Sequence, residues 1–272
     1  FENVFVWSGD RTLFLAIIKL YEDLKNAPVD CLDFGVRSIM LVEDSPWFYS
    51  SYLPLIYAEL IRQVQALIEE GRNFADKLLR QRARPKILLA RNYEEAAELL
   101  RCYGQGMLGI ISDLSFMRNG VTDPRAGLAL ARTARAINEE LPILVQSSST
   151  DLRLEIEQEG LAFVDKTSRV LLQELSEFMT MNFGFGDFVF RVPDGTEIAR
   201  ARTMRELREK LRYIPGESLE FHALRDHFSN WLCARTRFEL ADRIKPVKVG
   251  QFTSMEDLRT YVIEALTEHA VR

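Results

Sequence analysis

Five polar residues stand at the ends of four short apolar runs, and their types suit phosphoryl chemistry. Glu43 and Asp44 close SIMLVED, Asp113 closes GIISD, Ser147 closes ILVQS, and Lys166 closes AFVDK. Parallel strands of an open sheet end in a shared crevice, so we expect these side chains to converge there. Three carboxylates, a hydroxyl and an ammonium group would hold Mg²⁺ beside a carboxylate that accepts a phosphoryl group.

The segments around these residues predict a repeated strand–helix pattern. From Arg37 onward, near-continuous apolar runs predict strands covered on both faces, at 38–43, 86–90, 107–112, 142–147 and 161–165. Amphipathic stretches predict helices at 93–103, 125–140, 151–159 and 169–181. The alternation indicates an α/β domain at 37–182, with a flavodoxin-like, doubly wound, five-stranded parallel sheet of order 2-1-3-4-5.

The residues before this domain predict a short strand and a helix. Residues 4–7 (VFVW) are apolar enough for a buried strand, and 12–24 has apolar residues at helical spacing. Residues 26–35 have the composition of a linker. We therefore expect 1–36 to be an arm, or the end of a preceding domain. Because the chain begins with Phe1 rather than Met, we also expect it to be part of a longer protein.

The residues after this domain predict a small α+β module at 183–272. GDFVFRVPDGTEIARA predicts a β-hairpin around a Pro-Asp-Gly turn. Three helices are expected in MRELREKLRYI, SLEFHALRDHFSNWLCA and SMEDLRTYVIEALTEH. Helix caps are expected at Thr203, at Glu217 or Ser218, and at Thr253 or Ser254.

The connection between Pro46 and Pro85 is longer than one covering helix requires. Every seventh residue within it is apolar: Leu53, Leu60, Leu67 and Phe74. This period is typical of helices packed along one another and predicts an extended first helix at 46–82, or a hairpin broken at Gly71. An alternative function follows, in which the chain is a scaffold that forms a homodimer through this helix without phosphorylation.

Composition limits the function classes. The 272 residues are 47% hydrophobic and 28% charged, which is ordinary for a globular protein. The net charge of −5 argues against nucleic-acid binding, and no apolar run is long enough to cross a membrane. Three widely spaced cysteines, Cys31, Cys102 and Cys233, indicate reduced thiols and a cytoplasmic location.

The strand-end residues and their order resemble the receiver domain of response regulators, the phosphoacceptor module of two-component phosphorelay signalling. The resemblance covers 37–182. It implies phosphorylation of Asp113 by a sensor histidine kinase or a phosphotransfer protein. It also implies Mg²⁺ as cofactor, with ligands from Glu43, Asp44, Asp113 and the backbone carbonyl of Ser115.

The same resemblance implies catalytic and switch roles. Lys166 and Ser147 would contact the phosphoryl group on Asp113, and Ser147 and Phe163 would move once it is attached. A downstream domain of the same chain would respond to that movement. Two features depart from the family: Thr167 stands where proline is usual, and the loop SFMRNGVTDPRAG is longer than usual.

The flanking sequences carry a second resemblance. FVFRVPDGTEIARA and HALRDHFSNWLCARTRFELADRIKP resemble the N-terminal regulatory region of bacterial proteins related to phosphoenolpyruvate synthase and pyruvate phosphate dikinase. Two expectations follow: the chain is a regulatory part and not a stand-alone enzyme, or it belongs to a phosphoenolpyruvate-forming dikinase whose catalytic domains lie outside this sequence.

Two other site classes are less consistent with the sequence. Haloacid-dehalogenase-type phosphatases also use a strand-end aspartate, but they place a second aspartate two residues later, where this chain has Ser115. His222 and His227 are five residues apart, not the four that would put two metal ligands on one helix face. We therefore expect these histidines to be packed or surface residues.

Overall fold

The computed structural model describes residues 3–69, 83–245, 247 and 249–268. The chain divides into two compact units, a first unit at Phe1–Phe178 and a second unit at Met179–Arg272. Among the described helices, none is both long enough and apolar enough to span a membrane.

The first unit is built on a parallel sheet. Its strands and an inserted hairpin are, in chain order, β1 (Ser38–Val42), β2 (Lys86–Ala90), β3 (Met107–Asp113), β4 (Phe116–Arg118), β5 (Val121–Asp123), β6 (Ile143–Ser147) and β7 (Ala162–Asp165). The five-stranded sheet has the order β2-β1-β3-β6-β7, and all neighbouring strands are parallel. The predicted α/β class with a five-stranded parallel sheet is therefore confirmed, and the strand order is consistent with a doubly wound fold.

Helices connect the strands and cover the sheet. They are α1 (Thr12–Leu32), α2 (Pro46–Glu69), α3 (Tyr93–Tyr103), α4 (Ala126–Ile137), α5 (Arg153–Gln158) and α6 (Leu171–Asn182). Every residue of β1, β3 and β6 is buried, as expected for central strands with both faces covered. The predicted strand at 86–90 and helix at 93–103 match β2 and α3. The helix begins at Tyr93 because Asn92 caps it, its side chain accepting from the Glu95 N–H at 2.8 Å.

The extended segment at residues 4–7 is not a strand, so that prediction was wrong. Its backbone is satisfied by side chains of α2 in place of a neighbouring strand. The Val6 N–H donates to Ser50 Oγ at 3.0 Å, and the Phe5 ring packs edge-on against Tyr49.

The predicted linker at 26–35 is largely helical, because α1 continues to Leu32. The continuation passes Pro28 and keeps Ala27 and Asp30 buried. The Asp30 carboxylate lies 2.7 Å from the Lys86 ammonium of β2, and this contact holds the last turns of α1 against the sheet. A tertiary ion pair therefore keeps this segment helical although its composition is that of a linker.

The long loop after β3 contains the β4–β5 hairpin. Asn119 and Gly120 at its turn both have positive φ, +52° and +77°, as two-residue hairpin turns require. The chain then enters α4, where Gly127 lies so close to the Asp113 carbonyl that a side chain has no room. The insertion therefore returns the chain directly to the end of β3.

The second unit has the predicted hairpin and more helices than predicted. Its elements are β8 (Phe188–Arg191), β9 (Glu197–Ala201), α7 (Met204–Leu211), α8 (Gly216–Ala223), α9 (His227–Ala234), α10 (Phe238–Ile244) and α11 (Met255–Glu268). The expected caps at Thr203 and Ser254 are confirmed, since they accept from the Glu206 and Asp257 N–H groups at 3.2 Å. The expected cap at Glu217 or Ser218 is wrong, because α8 begins at Gly216 after Pro215.

The helix predicted across SLEFHALRDHFSNWLCA is two helices. Asp226 between α8 and α9 has φ +53°, a left-handed conformation that ends the first helix. His222 and His227 therefore lie on different helices, with their Nδ1 atoms 2.9 Å apart and both side chains largely enclosed. Of the two expected settings, packed or surface, the structure shows the packed one.

Candidate functional site

The first unit brings three carboxyl groups together at the carboxyl ends of its strands. Glu43 and Asp44 follow β1, and Asp113 is the last residue of the adjacent β3. One carboxylate oxygen from each lies within 4.8 Å of the others. Their convergence follows from parallel pairing, which puts the ends of neighbouring strands at one edge of the sheet.

Lys166 joins two of these acids. It follows β7, and its backbone N–H donates to the carbonyl of Ser147 at the end of β6 at 2.9 Å. Its Nζ lies 2.7 Å from Glu43 Oε2 and 2.7 Å from Asp113 Oδ2. The ammonium also lies 4.4 Å from the Phe48 ring centroid, over the ring face, which covers it from α2. Lys166 is thus a buried counter-charge held against two carboxylates.

Glu43 is the deepest acid of the site, with no exposed surface. Its Oε1 accepts from the Ser45 N–H at 3.1 Å, and its Oε2 accepts from the Gln146 amide at 3.0 Å. Burial raises the pKa of Glu43 to about 7, against the opposing effect of Lys166. Glu43 is therefore a group whose charge at neutral pH depends on the cations around it.

The Asp113 carboxylate has a fixed orientation. Its Oδ1 accepts from the Leu114 N–H at 2.7 Å, and its Oδ2 faces Lys166. The Ser112 hydroxyl donates to the Asp113 carbonyl at 2.7 Å. Asp113 is 9% exposed, so one side of the carboxylate remains accessible while its orientation is set by the backbone and Lys166.

The donor set fits Mg²⁺. Asp44 is exposed at the mouth of the site, and partial burial together with the Asp113 charge raises its pKa. Three carboxyl groups share a single ammonium, so a divalent cation would relieve the remaining repulsion, and oxygen is the ligand type that Mg²⁺ prefers. Ser115 lies two residues beyond Asp113, partly exposed between β3 and β4, and its carbonyl stays a predicted ligand.

The two predicted switch residues lie on the neighbouring strands. Ser147 ends β6 and is 8% exposed, and its Oγ accepts from the Ser149 N–H at 3.1 Å. Phe163 lies on β7 opposite Val145 and is partly buried against the core. The Arg153 guanidinium lies 5.6 Å from the Phe163 ring centroid, so this ring links the sheet to α5.

Sequence reasoning missed two polar side chains of this site. Gln146 is buried in β6 and binds Glu43, and the only signal for it was a lone polar residue inside ILVQS. Tyr52 of α2 is fully buried, and its hydroxyl has no hydrogen-bond partner among the described residues. Burial, with the nearby charges of Glu43 and Asp113, raises the pKa of Tyr52, so the hydroxyl stays protonated beside the acids.

Thr167 stands at the position where the resembled family has proline, and it forms a local turn with Asp165 directly after β7. Its N–H and its hydroxyl both donate to Asp165 Oδ1 at 2.7 Å, which lowers the pKa of that carboxyl. The Asp165 carboxylate is therefore bound by groups of its own turn, whereas the Asp113 carboxylate is bound by Lys166 from another strand end.

No protein-family model matches this chain, and no curated protein matches it significantly.

Proposed function

We propose that the first unit is a phosphoacceptor receiver domain that is phosphorylated on Asp113 with the help of Mg²⁺. The observation that carries the proposal is the position of the Lys166 ammonium, 2.7 Å from Asp113 beside two further acids. A structural aspartate at a strand end needs neither a buried ammonium nor an acidic pair next to it. The strand order supports the flavodoxin-like arrangement that this function would use.

The chemistry follows from the groups around Asp113. An Asp113 oxygen attacks the phosphorus of a phosphohistidine or small phosphodonor, the P–O bond to Asp113 forms, and the donor's P–N or P–O bond breaks. The leaving group departs with the electron pair of that bond. The Lys166 ammonium, 2.7 Å from Asp113 Oδ2, is placed to bind the phosphoryl oxygens. Bound Mg²⁺ would supply further charge neutralisation between Asp44, Asp113 and the phosphoryl group.

Ser147 is suited to hold the product. Its Oγ accepts a hydrogen bond from Ser149, so its own hydroxyl proton is available to donate to a phosphoryl oxygen. The Phe163 ring on the next strand is already in contact with Arg153 of α5. Movement of Ser147 toward the phosphoryl group would therefore alter the surface formed by β6, α5 and β7.

The donor and the output remain proposals drawn from the sequence. The donor would be a sensor histidine kinase or a phosphotransfer protein in the cytoplasm. The output would be the second unit or a further domain, with a phosphoenolpyruvate synthase-like enzyme as the regulated activity.

Intact-protein mass after incubation with acetyl phosphate and Mg²⁺ tests the proposal. We expect a gain of one phosphoryl group that requires Mg²⁺ and is lost in Asp113→Asn. The matched control is Asp165→Asn, which removes another strand-end aspartate whose carboxylate binds Thr167 instead of Lys166. Labelling that persists in Asp113→Asn, or none in the wild type with any phosphodonor, would overturn the assignment.

The alternative, a scaffold that dimerises through 46–82, gains no support from the described part of that helix. Leu53 and Leu60, the first two residues of the heptad pattern, are fully buried within the first unit. Leu67 and Phe74 fall outside the residues whose side chains are described. Self-association through this helix stays a prediction.

A further inference from the structure

Helix α1 is firmly attached to the first unit by its inner face. Asp23 on that face is fully buried and lies 2.7 Å from the Arg84 guanidinium. The same carboxylate accepts from the Tyr57 hydroxyl at 2.8 Å and from the Ile87 N–H of edge strand β2 at 3.0 Å. Together with the Asp30–Lys86 pair, these contacts fix which side of α1 faces outward.

The outer face of α1 is apolar where a solvent-facing helix is normally polar. Six large apolar residues along it are between 42% and 60% exposed: Phe14, Leu15, Ile18, Tyr21, Val29 and Leu32. Trp7, whose ring centroid lies 4.9 Å from that of Phe14, and Phe34 extend the surface at its two ends. We call these eight residues the α1 outer patch.

The spacing along this patch is that of a helix–helix seam. Phe14, Ile18 and Tyr21 follow one another at intervals of four and three residues. Lys25 and Leu32 continue the same seven-residue register. Such a register places apolar side chains along one line of the helix, where a second helix can pack lengthwise.

The charges on the patch are self-complementary. Glu22 and Lys25 are both exposed near the middle of α1. Glu22 accepts from Lys19 of its own helix at 2.6 Å, and no described residue forms an ion pair with Lys25. In an antiparallel pair of α1 helices with the two-fold axis between residues 23 and 24, each Glu22 lies opposite the other copy's Lys25. The same register sets Ile18 opposite Val29. One symmetry operation thus pairs Ile18 with Val29 and Glu22 with Lys25.

We propose that two copies of this chain associate through the α1 outer patch, with their α1 helices antiparallel. A half-exposed large side chain offers roughly 100 Å². Eight such residues offer about 800 Å² per protomer, the amount that one partner contributes to a standard specific interface. This surface lies on the opposite side of α1 from its contacts with α2 and β2, so pairing leaves the described contacts of the first unit intact.

Sedimentation of the whole chain across a wide concentration range tests the pairing. We expect a reversible dimer in the wild type. Ile18→Asp should raise its dissociation constant by about 30-fold or more, because a charge would be buried in the seam against Val29 of the other copy. The control is Leu154→Asp on α5, a still more exposed apolar helix residue outside the patch, which should leave the dimer unchanged. A wild-type monomer at every concentration, or a dimer insensitive to Ile18→Asp, would overturn the proposal and direct attention to a different protein or a lipid surface as the occupant.

A charge exchange tests the orientation. Lys25→Glu alone should weaken the dimer by about tenfold, since two reciprocal ion pairs become two repulsions. The double change Glu22→Lys with Lys25→Glu should restore most of the affinity. Failure of the double change to restore it would argue against the antiparallel register.

Disulfide formation provides an independent measure of the same register. In a Cys31→Ser background, Ile18→Cys mixed with Val29→Cys should give a cross-linked heterodimer, because the two positions face one another. Each variant alone should cross-link poorly, since residues 18 and 29 are about 16 Å apart along one helix. Efficient self-linkage of Ile18→Cys would indicate parallel helices and contradict the proposal.

Discussion

The Lys166 ammonium lies 2.7 Å from the Asp113 carboxylate, and it makes an equal contact with the fully buried Glu43. One buried cation therefore balances acids from two neighbouring strands. The ion pairs on which the proposed phosphorylation of Asp113 rests also bear on the stability of the first unit.

Replacement of Lys166 by Met should destabilise the first unit by about 3–5 kcal/mol, the usual cost of removing one partner of a buried ion pair. Two carboxylates would lose their counter-charge while staying buried. Urea unfolding gives the measurement. The control is Arg101→Ala, which breaks the exposed Arg101–Glu98 pair on α3 and should change stability by less than about 1 kcal/mol. Equal effects of the two substitutions would show that Lys166 contributes nothing beyond a surface charge.

Mg²⁺ should stabilise the first unit against heat. A ligand at 100 times its dissociation constant adds about 2.7 kcal/mol to the unfolding free energy when it binds only the folded state. Asp44→Asn should remove much of this effect, because Asp44 is the exposed acid at the mouth of the cluster. Asp165→Asn should leave it intact. A melting temperature that ignores Mg²⁺ in the wild type would contradict the metal site.

The stability of the first unit should fall as pH rises toward neutrality, because of Glu43. Its pKa is raised from 4.5 to about 7, so the folded chain retains a proton that the unfolded chain releases above about pH 4.5. The stabilising contribution is complete below that pH and is lost as pH rises through 7. Glu43→Gln, which cannot titrate, should flatten this part of the pH profile. Identical slopes for the wild type and the variant would disprove it.

The strand-end residues could be predicted from the sequence because each follows a short apolar run, and parallel pairing alone brings such ends together. Gln146 and Tyr52 could not, because their roles depend on which buried acid each one faces. The last turns of α1 were missed for a similar reason. Pro28 and Asp30 have linker composition, and only the ion pair with Lys86 of a distant strand explains why they remain helical.

The break between α8 and α9 also could not be predicted from the sequence. Asp226 is neither glycine nor proline, yet it adopts a left-handed conformation that splits one predicted helix into two. The apolar periodicity continues across it. Just beyond the break, Phe228 stacks on Phe188 of the hairpin with ring centroids 5.0 Å apart, a tertiary contact that the helical pattern does not encode.

The buried histidine pair should make the second unit less stable in acid. The Arg191 N–H donates to His222 Nε2 at 2.8 Å, so the proton of neutral His222 is on Nδ1 and is donated to His227 Nδ1 at 2.9 Å. Burial lowers the pKa of His222 to about 3 and that of His227 to about 4. The unfolded chain therefore binds more protons below about pH 6.5, and stability falls as pH drops from there toward 4.

Nitrogen-15 spectra of the imidazole rings check both parts of this prediction. They should show opposite tautomers, with the proton on Nδ1 in His222 and on Nε2 in His227, and no titration of either ring down to about pH 5. A positively charged His222 or His227 in the folded protein near neutral pH would contradict the arrangement.

Gly184 and Gly195 provide a matched pair for the packing of the second unit. Both have positive φ, +73° and +89°, so alanine is strained at either position. A Cβ on Gly184 would also lie 2.5 Å from the Trp231 backbone, whereas a Cβ on Gly195 would meet nothing within 4 Å. Gly195→Ala should therefore cost about 1 kcal/mol, the backbone strain alone. Gly184→Ala should cost about 3 kcal/mol or more, because α9 must move away from the chain at residue 184. Thermal unfolding followed by fluorescence in a Trp7→Phe, Trp47→Phe background, where Trp231 is the remaining tryptophan, compares the two. Equal losses of stability would mean that α9 does not pack as closely on Gly184 as the structure indicates.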